Sequence, residues 1–118
     1  LKCKVMEKYL KQMQILLEAG TPFVTVTLVE AKGSTPRAQG GRMLVTGEGL
    51  CSGTVGGGLV EAKALDFALD FLAETKPAEQ TRFVQWNLNR DAGMSCGGSI
   101  KLFFDFKLSL SSTYDIET

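Results

Sequence analysis

The placement of glycine is the feature that most constrains this chain. The 118 residues include thirteen glycines and only three prolines. Nine of the glycines fall into three short segments: Gly33, Gly40 and Gly41, then Gly53 and Gly56–Gly58, then Gly97 and Gly98. Because glycine adopts backbone conformations that other residues avoid, each segment predicts a tight turn between regular elements. If the fold brings these turns together, their backbone amides would line a single site.

Composition excludes several classes of protein. Thirteen basic residues balance thirteen acidic ones, so no bulk positive charge would attract nucleic acid or an anionic membrane. The absence of histidine removes His-based triads and most zinc sites, and no metal site is predicted. Three cysteines are too few, and odd in number, for a secreted disulfide scaffold. No apolar run reaches the roughly 20 residues of a membrane span, and no signal peptide is recognisable. We therefore expect a cytoplasmic protein.

Hydrophobic periodicity predicts two helices and five strands. The helices cover residues 4–19 and the stretch that opens directly after Gly58 and runs to about Glu74, and the strands cover 23–30, 42–46, 50–55, 82–88 and 99–106. This order favours an α+β fold in which two helices pack on a mixed, mostly antiparallel sheet. Strand 23–30 is apolar on both faces, which predicts an inner position in the sheet. Residues 1–107 form the predicted domain, and residues 108–118 form a C-terminal tail.

The turn Gly56–Gly58 comes directly before the second predicted helix. Backbone N–H groups at such a position can approach an anion, and the helix dipole adds positive charge there. The spacing matches neither the dinucleotide-binding fingerprint nor the P-loop. A tight strand-to-helix turn without a ligand is an equal alternative.

Glu61 lies on the apolar face of that helix, where a carboxylate needs partners. One interpretation is structural: the carboxylate accepts hydrogen bonds from neighbouring loop amides, or pairs with Arg37 or Arg42. The other is functional: it binds a ligand N–H group or a metal, or takes part in acid–base chemistry. A carboxylate favours a helix N-terminus but repels a phosphate there, so both could bind only on different sides of the turn.

The two other glycine segments also carry reactive groups. Ser34 and Arg37 lie on a loop constrained by Pro36, and an Arg guanidinium matches phosphate or carboxylate. Cys96 precedes Gly97 and Gly98. Without histidine, its activation would have to come from Arg, Lys or backbone N–H groups. A sulfur carrier or nucleophile and an inert turn cysteine are equal alternatives for it.

Four ordered motifs resemble the XdhC/CoxI family, the accessory factors of xanthine dehydrogenase. They are Gly33-Ser34-Thr35-Pro36-Arg37, the segment Gly40 to Val45 with Arg42, the segment Gly53 to Glu61 with its three consecutive glycines, and Cys96-Gly97-Gly98. The resemblance runs from about Val5 to Lys107. In the family a Rossmann-type domain usually follows. These residues lack it, so we expect a single-domain member or a fragment, with a Rossmann-domain protein as a partner.

The resemblance implies a molybdenum cofactor (molybdopterin) chaperone. Such a protein protects the cofactor, assists its sulfuration with a cysteine desulfurase, and delivers it to an apo-form molybdenum hydroxylase. The residues that fall on the family motifs are Ser34, Arg37, Arg42, Gly56, Gly57, Gly58, Glu61 and Cys96. As a hypothesis, Gly56–Gly58 and Arg37 hold the phosphate, Glu61 holds the pterin ring, and Cys96 lies near the metal or its terminal sulfur.

Two further functions stay open at this point. The chain could be an enzyme in which Cys96 carries sulfur to the metal, although a carrier without turnover is the first expectation. It could also be an interaction module of the maturation complex, with structural glycine turns and no cofactor of its own. The apolar arc of the second helix spans about 200°, more than one sheet contact needs. That surplus predicts a homo-oligomer or contact with another domain.

Overall fold

The computed structural model describes residues 2–33, 41–74, 80–88 and 98–107. Its elements are α1 (Lys2–Ala19), β1 (Phe23–Lys32), β2 (Arg42–Thr46), β3 (Gly49–Thr54), α2 (Gly58–Ala73), β4 (Thr81–Asn87) and β5 (Ser99–Lys107). The predicted α+β fold, with two helices and five strands in this order, is confirmed. The proposed tail 108–118 lies outside the described residues.

The five strands form one sheet in the order β3-β2-β1-β5-β4. All four neighbouring pairs are antiparallel, so the sheet described here is antiparallel throughout rather than mixed. Three of the four inter-strand connections join neighbouring strands. The fourth runs from β3 at one edge to β4 at the other, and α2 makes this crossing over one face of the sheet. The helix is therefore held against the middle of the sheet by its connections as well as by its apolar residues.

The two helices cover opposite faces of the sheet. The α2 side holds the main core, which includes Val60, Ala64, Ala68 and Phe71 of the helix, Val24, Val26 and Leu28 of β1, Met43 and Val45 of β2, and Ile100, Leu102, Phe104 and Phe106 of β5. The α1 side holds a smaller cluster of Tyr9, Phe23 and Leu44. Strand β1 thus contributes buried residues to both faces, which confirms its predicted inner position.

The wide apolar arc of α2 is largely used inside the domain. The ring of Phe67 lies 4.5 Å from Phe104 and 6.2 Å from Trp86, centroid to centroid. The Phe71 ring lies 5.4 Å from that of Phe106. Aromatic pairs at such distances add stability beyond the area that they bury. Much of the arc is therefore explained by contact with β4 and β5.

Tyr9 anchors α1 to the sheet. Its hydroxyl donates a hydrogen bond to the carbonyl oxygen of Met43 at 3.4 Å, and its side chain is buried. Burial raises the pKa of Tyr9 to about 12, against the opposing effect of the nearby charge of Arg42. The phenol is therefore neutral at physiological pH, as a buried hydrogen-bond donor needs to be. No helix among the described residues is long and apolar enough to span a membrane.

Candidate functional site

The topology places the described glycines of the three segments (Gly33, Gly41, Gly53, Gly56–Gly58 and Gly98) at one end of the sheet. Strands β1, β3 and β4 end there, and β2 and β5 begin there, because every neighbouring pair is antiparallel. Within that end the turns form two groups. Gly33 and Gly98 adjoin the paired residues Lys32 and Ser99, whereas the turn after β3 lies beside the start of β2, which pairs with β1 at Thr27. Thr27 and Lys32 are five residues apart in β1, so the two groups of turns lie roughly 15 Å apart along that strand.

Two glycines permit close backbone contacts at this end. A Cβ atom on Gly98 would lie 2.2 Å from the carbonyl oxygen of Lys32 and 2.9 Å from the Cα of Gly33. A Cβ atom on Gly53 would lie 2.0 Å from the carbonyl oxygen of Arg42. Both glycines also have positive φ angles, 116° and 86° respectively. Packing thus explains Gly53 and Gly98 without any ligand.

Replacing Gly98 with alanine is expected to destabilise the domain by at least about 2 kcal/mol, because a backbone carbonyl would have to move and the φ angle is strained. Gly47 is the matched control, since a Cβ atom there meets nothing within 4 Å and its φ is not positive. Gly47→Ala should change stability by no more than about 0.5 kcal/mol. Urea denaturation of both variants measures the difference, and equal losses would contradict this account of Gly98.

Glu61 holds the turn that starts α2. Its Oε1 atom accepts hydrogen bonds from the Thr54 hydroxyl, from the backbone N–H of Val55 at 3.3 Å and from that of Gly57 at 3.1 Å. The Thr54 hydroxyl oxygen in turn accepts the N–H of Gly56 at 3.0 Å. A carboxylate makes stronger hydrogen bonds than a neutral acceptor. The turn is therefore fastened to the first turn of its own helix.

This geometry supports the structural interpretation of Glu61 for one of its two oxygens. No described residue donates to Oε2, and Glu61 forms no ion pair with Arg42. Glu61 is half-buried at the edge of the helix face that carries Val60 and Ala64. Its Oε2 atom is therefore the part of the carboxylate left for a ligand.

Some backbone N–H groups of the turn donate hydrogen bonds within the domain, and others have no acceptor among the described residues. Those of Val55, Gly56 and Gly57 are used by Glu61 and Thr54. The first helical hydrogen bond runs from the N–H of Glu61 to the carbonyl of Gly57. The N–H groups of Gly58, Leu59 and Val60 therefore have no acceptor among the described residues. They are the donors that the helix start offers to an anion.

Three successive glycines give this turn its shape. Gly56, Gly57 and Gly58 have φ angles of 124°, 76° and 64°, a run that residues with a Cβ atom rarely adopt. A Cβ atom on Gly57 or Gly58 would meet nothing within 4 Å. Backbone conformation, rather than crowding, explains these two glycines, and the space beside them is open.

Arg42 begins β2 directly opposite Thr54 of β3. Leu44, two residues further on, packs into the α1 cluster, so Arg42 faces the α1 side of the sheet as well. The residue is exposed, and no described acidic side chain pairs with it. Arg42 is thus adjacent to the glycine turn in register, but it would reach a ligand there from the α1 side.

Three of the residues proposed from the sequence, Ser34, Arg37 and Cys96, lie outside the described residues. Chain connectivity attaches Ser34 to Gly33 and Cys96 to the Gly97-Gly98 pair. Thr54, in contrast, was missed by the sequence analysis. The signal for it was a threonine two residues before a glycine, since such a hydroxyl commonly binds the backbone N–H two positions on. Across the described part of the chain, Cys, Asp and Glu side chains form no group of three or more that could hold a metal ion.

Glu61→Gln is expected to destabilise the domain by about 1 kcal/mol, because a neutral amide oxygen replaces the charged acceptor of three hydrogen bonds. Asp66→Asn, at an exposed position of the same helix, removes an identical charge without such contacts and should have little effect. Chemical denaturation of the two variants gives the comparison. A Glu61→Gln protein at least as stable as the wild type would show that the bonds to Oε1 do not hold the turn.

Comparison with known proteins identifies the family. The model of the XdhC and CoxI family matches residues 16–84, more than half of the chain. The match includes β1 to β3, α2 and the start of β4, and therefore the whole Glu61-bound turn. The chain belongs to the XdhC and CoxI family, as its motifs predicted.

Two proteins of Escherichia coli K12 are similar in sequence. One is the uncharacterized protein YqeB, 38% identical over 88 residues, or 75% of this chain and 16% of YqeB. The other is the molybdenum cofactor insertion chaperone PaoD, 37% identical over 86 residues, or 73% of this chain and 27% of PaoD. The chain thus spans only a minor part of the length of either relative.

A solved structure shares the fold. A crystal structure described as a xanthine dehydrogenase from Bacillus halodurans superposes with a TM-score of 0.62 at 24% sequence identity. The match covers 87% of this chain and 32% of the other. At this identity the likeness shows that the two share a fold.

Proposed function

We propose that this chain binds the molybdenum cofactor as cargo at the glycine-turn end of the sheet and holds it for insertion into an apo-form molybdenum hydroxylase. The observation that carries the proposal is the start of α2. There, three open amides stand at the positive end of a helix, on a turn fixed by Glu61. Membership of a family that includes a relative named as a molybdenum cofactor insertion chaperone supports this choice of cargo.

The hydrogen bonds refine the role of each residue. The cofactor's phosphate would bind the N–H groups of Gly58, Leu59 and Val60, since those of Gly56 and Gly57 are already used. Gly56 and Gly57 then shape the turn rather than bind. The Oε2 atom of Glu61 would accept the N–H groups of the pterin ring.

The remaining residues are those that fall on the family motifs, with the roles hypothesised from the sequence. Arg37 would add its guanidinium to the phosphate, with Ser34 beside it on the same loop. Arg42 would approach from the α1 side. Cys96 would lie near the metal or its terminal sulfur, where a cysteine desulfurase could supply sulfane sulfur through it. Cargo binding itself needs no turnover, so this is a chaperone with a sulfur-carrier residue, acting in the cytoplasm with a Rossmann-domain partner.

Bound pterin tests cofactor binding. The chain is purified from a molybdenum-replete host, and released pterin is oxidised and measured by fluorescence. Leu59→Pro should lower bound pterin severalfold, because proline removes an N–H group that makes no helical bond. Leu59→Ala keeps the N–H and is the matched control.

Two outcomes would count against this assignment. Folded wild-type protein that carries no pterin above a mock purification would overturn cofactor binding. Equal loading of the Leu59→Pro and Leu59→Ala proteins would place the phosphate elsewhere. Circular dichroism of each variant establishes that α2 is intact.

Sulfuration of a target hydroxylase tests Cys96 separately. Cys96→Ser should abolish the chain's contribution to sulfuration and leave pterin binding unchanged, because serine cannot carry sulfane sulfur. Cys51→Ser is the control, since Cys51 is half-buried in β3 with its Sγ atom 3.6 Å from Oε1 of Gln12. Undiminished sulfuration with Cys96→Ser would exclude it as the carrier.

A second function is favoured by a specific observation. Gly53, Gly98 and one oxygen of Glu61 all have structural explanations, as expected of an interaction module whose glycine turns are structural. Such a module would dock in the maturation complex and bind no cofactor. The two functions separate in one experiment: the module would co-purify with the apo-hydroxylase but carry no pterin.

A further inference from the structure

The two edges of the sheet differ in their capacity to pair with another strand. Strand β3 is glycine-containing, and its pairing with β2 shifts register between Leu44 and Val45. Such irregularities protect an edge from pairing. Strand β4 has no such device, since its seven residues pair with β5 without a register shift. Its sequence, Thr-Arg-Phe-Val-Gln-Trp-Asn, is rich in residues that favour strands and has one charge.

The hydrogen-bond phase of β4 shows which of its backbone groups face outward. The N–H of Leu88 donates to the carbonyl oxygen of Gly98 at 2.9 Å, and the N–H of Phe106 donates to the carbonyl oxygen of Gln80 at 2.7 Å. The even-numbered residues of β4 therefore point their backbone N–H and C=O groups toward β5. In an antiparallel strand the alternate residues point their N–H and C=O groups the other way. Thr81, Phe83 and Gln85 thus point their backbone N–H and C=O groups to the outer edge, where no described strand pairs with them.

The side chains of the same residues lie on the face that α1 leaves open. The α1 cluster takes its strand residues from β1, β2 and β3, and no described helix covers β5 and β4 on that side. Phe83 is directly opposite Phe103 of β5, and its side chain is 58% exposed. Thr81 and Gln85 on either side are exposed as well. The edge thus combines open hydrogen-bonding groups with an exposed aromatic ring at its centre.

We propose that β4 pairs antiparallel with β4 of a second copy of this chain, across a twofold axis at Phe83. In this register each Phe83 faces its own copy, and Thr81 faces Gln85 of the second subunit. The open N–H and C=O groups of these residues then bond in pairs, and the two sheets become continuous. This inference goes beyond the proposed function and does not depend on the cargo.

The strand is complementary to itself in this register, which is why a second copy is the occupant. The two Phe83 rings meet at the axis with a Phe103 ring on each outer side, so four aromatic rings lie in a row on one face. On the other face Arg82 faces Val84 of the second copy, so no like charges are opposed. The guanidinium of Arg82 already lies 3.7 Å from Glu74 and 5.2 Å from the Phe71 ring centroid.

The same arrangement leaves both candidate sites open. Strand β4 ends at the glycine-turn end of the sheet. Because the paired strands run in opposite directions, the two glycine-turn ends lie at opposite ends of the joined sheet. Each subunit could therefore receive and release a ligand without obstruction by the other.

Charged substitutions of Phe83, at the twofold axis, test the proposal. By analytical ultracentrifugation, the wild-type chain should be a reversible dimer. Phe83→Lys and Phe83→Glu should each weaken it by about tenfold or more, because like charges then oppose one another at the axis. Mixing these two variants should restore association, since opposite charges then meet. The mixture should recover only if residue 83 of one subunit contacts residue 83 of the other.

A second pair of variants tests the backbone contact. Gln85→Pro removes an outward N–H group but no bond to β5, and should also weaken the dimer. Gln85→Thr keeps the N–H group and should dimerise like the wild type. A wild-type chain that stays monomeric from micromolar concentration to its solubility limit overturns the proposal. So does a mixture of folded Phe83→Lys and Phe83→Glu proteins that fails to recover.

Discussion

The hydrogen bonds to the Oε1 atom of Glu61 are the contacts that tie the crossing helix to the edge of the sheet. They join the end of β3 to the first turn of α2, and α2 is the only described element that connects the two edges of the sheet. The helix enters the main core directly after the glycine turn, where Val60 and Ala64 are buried, and Phe71 is buried near its other end. One carboxylate thus stabilises both the turn and the crossing helix that closes the main core.

Much of the fold could be predicted because its signals are local. The alternation in β1 and the apolar arc of α2 predicted the elements and the inner position of β1, and both are found. The opposite placement of the two helices could not be predicted, because it depends on which edge of the sheet each strand occupies. The partners of the α2 arc within the domain could not be predicted for the same reason. The surplus width of that arc matches Trp86, Phe104 and Phe106, residues distant in sequence.

The turns of the candidate site were predictable, and their contacts were not. Clustered glycines predicted three turns, and the described glycines of those segments lie at one end of the sheet. The sequence could not show which glycines are required by crowding and which by backbone conformation. Gly98 is required by a carbonyl 2.2 Å from its missing Cβ atom, whereas Gly57 is required by its φ angle of 76°. Nor could the sequence show that the turns form two separate groups along β1, because that separation follows from strand register.

The division of amides at the start of α2 resolves an electrostatic conflict in the sequence. A carboxylate and a bound phosphate repel each other if both bind the same helix N-terminus. Here Oε1 takes the N–H groups of Val55 and Gly57, which precede the helix, together with the Thr54 hydroxyl. These three donors stabilise the charged carboxylate, and the N–H groups of Gly58, Leu59 and Val60 have no acceptor among the described residues. The acid and an anion can therefore use different donors of one turn, so Glu61 supports the turn without occupying the place of a ligand.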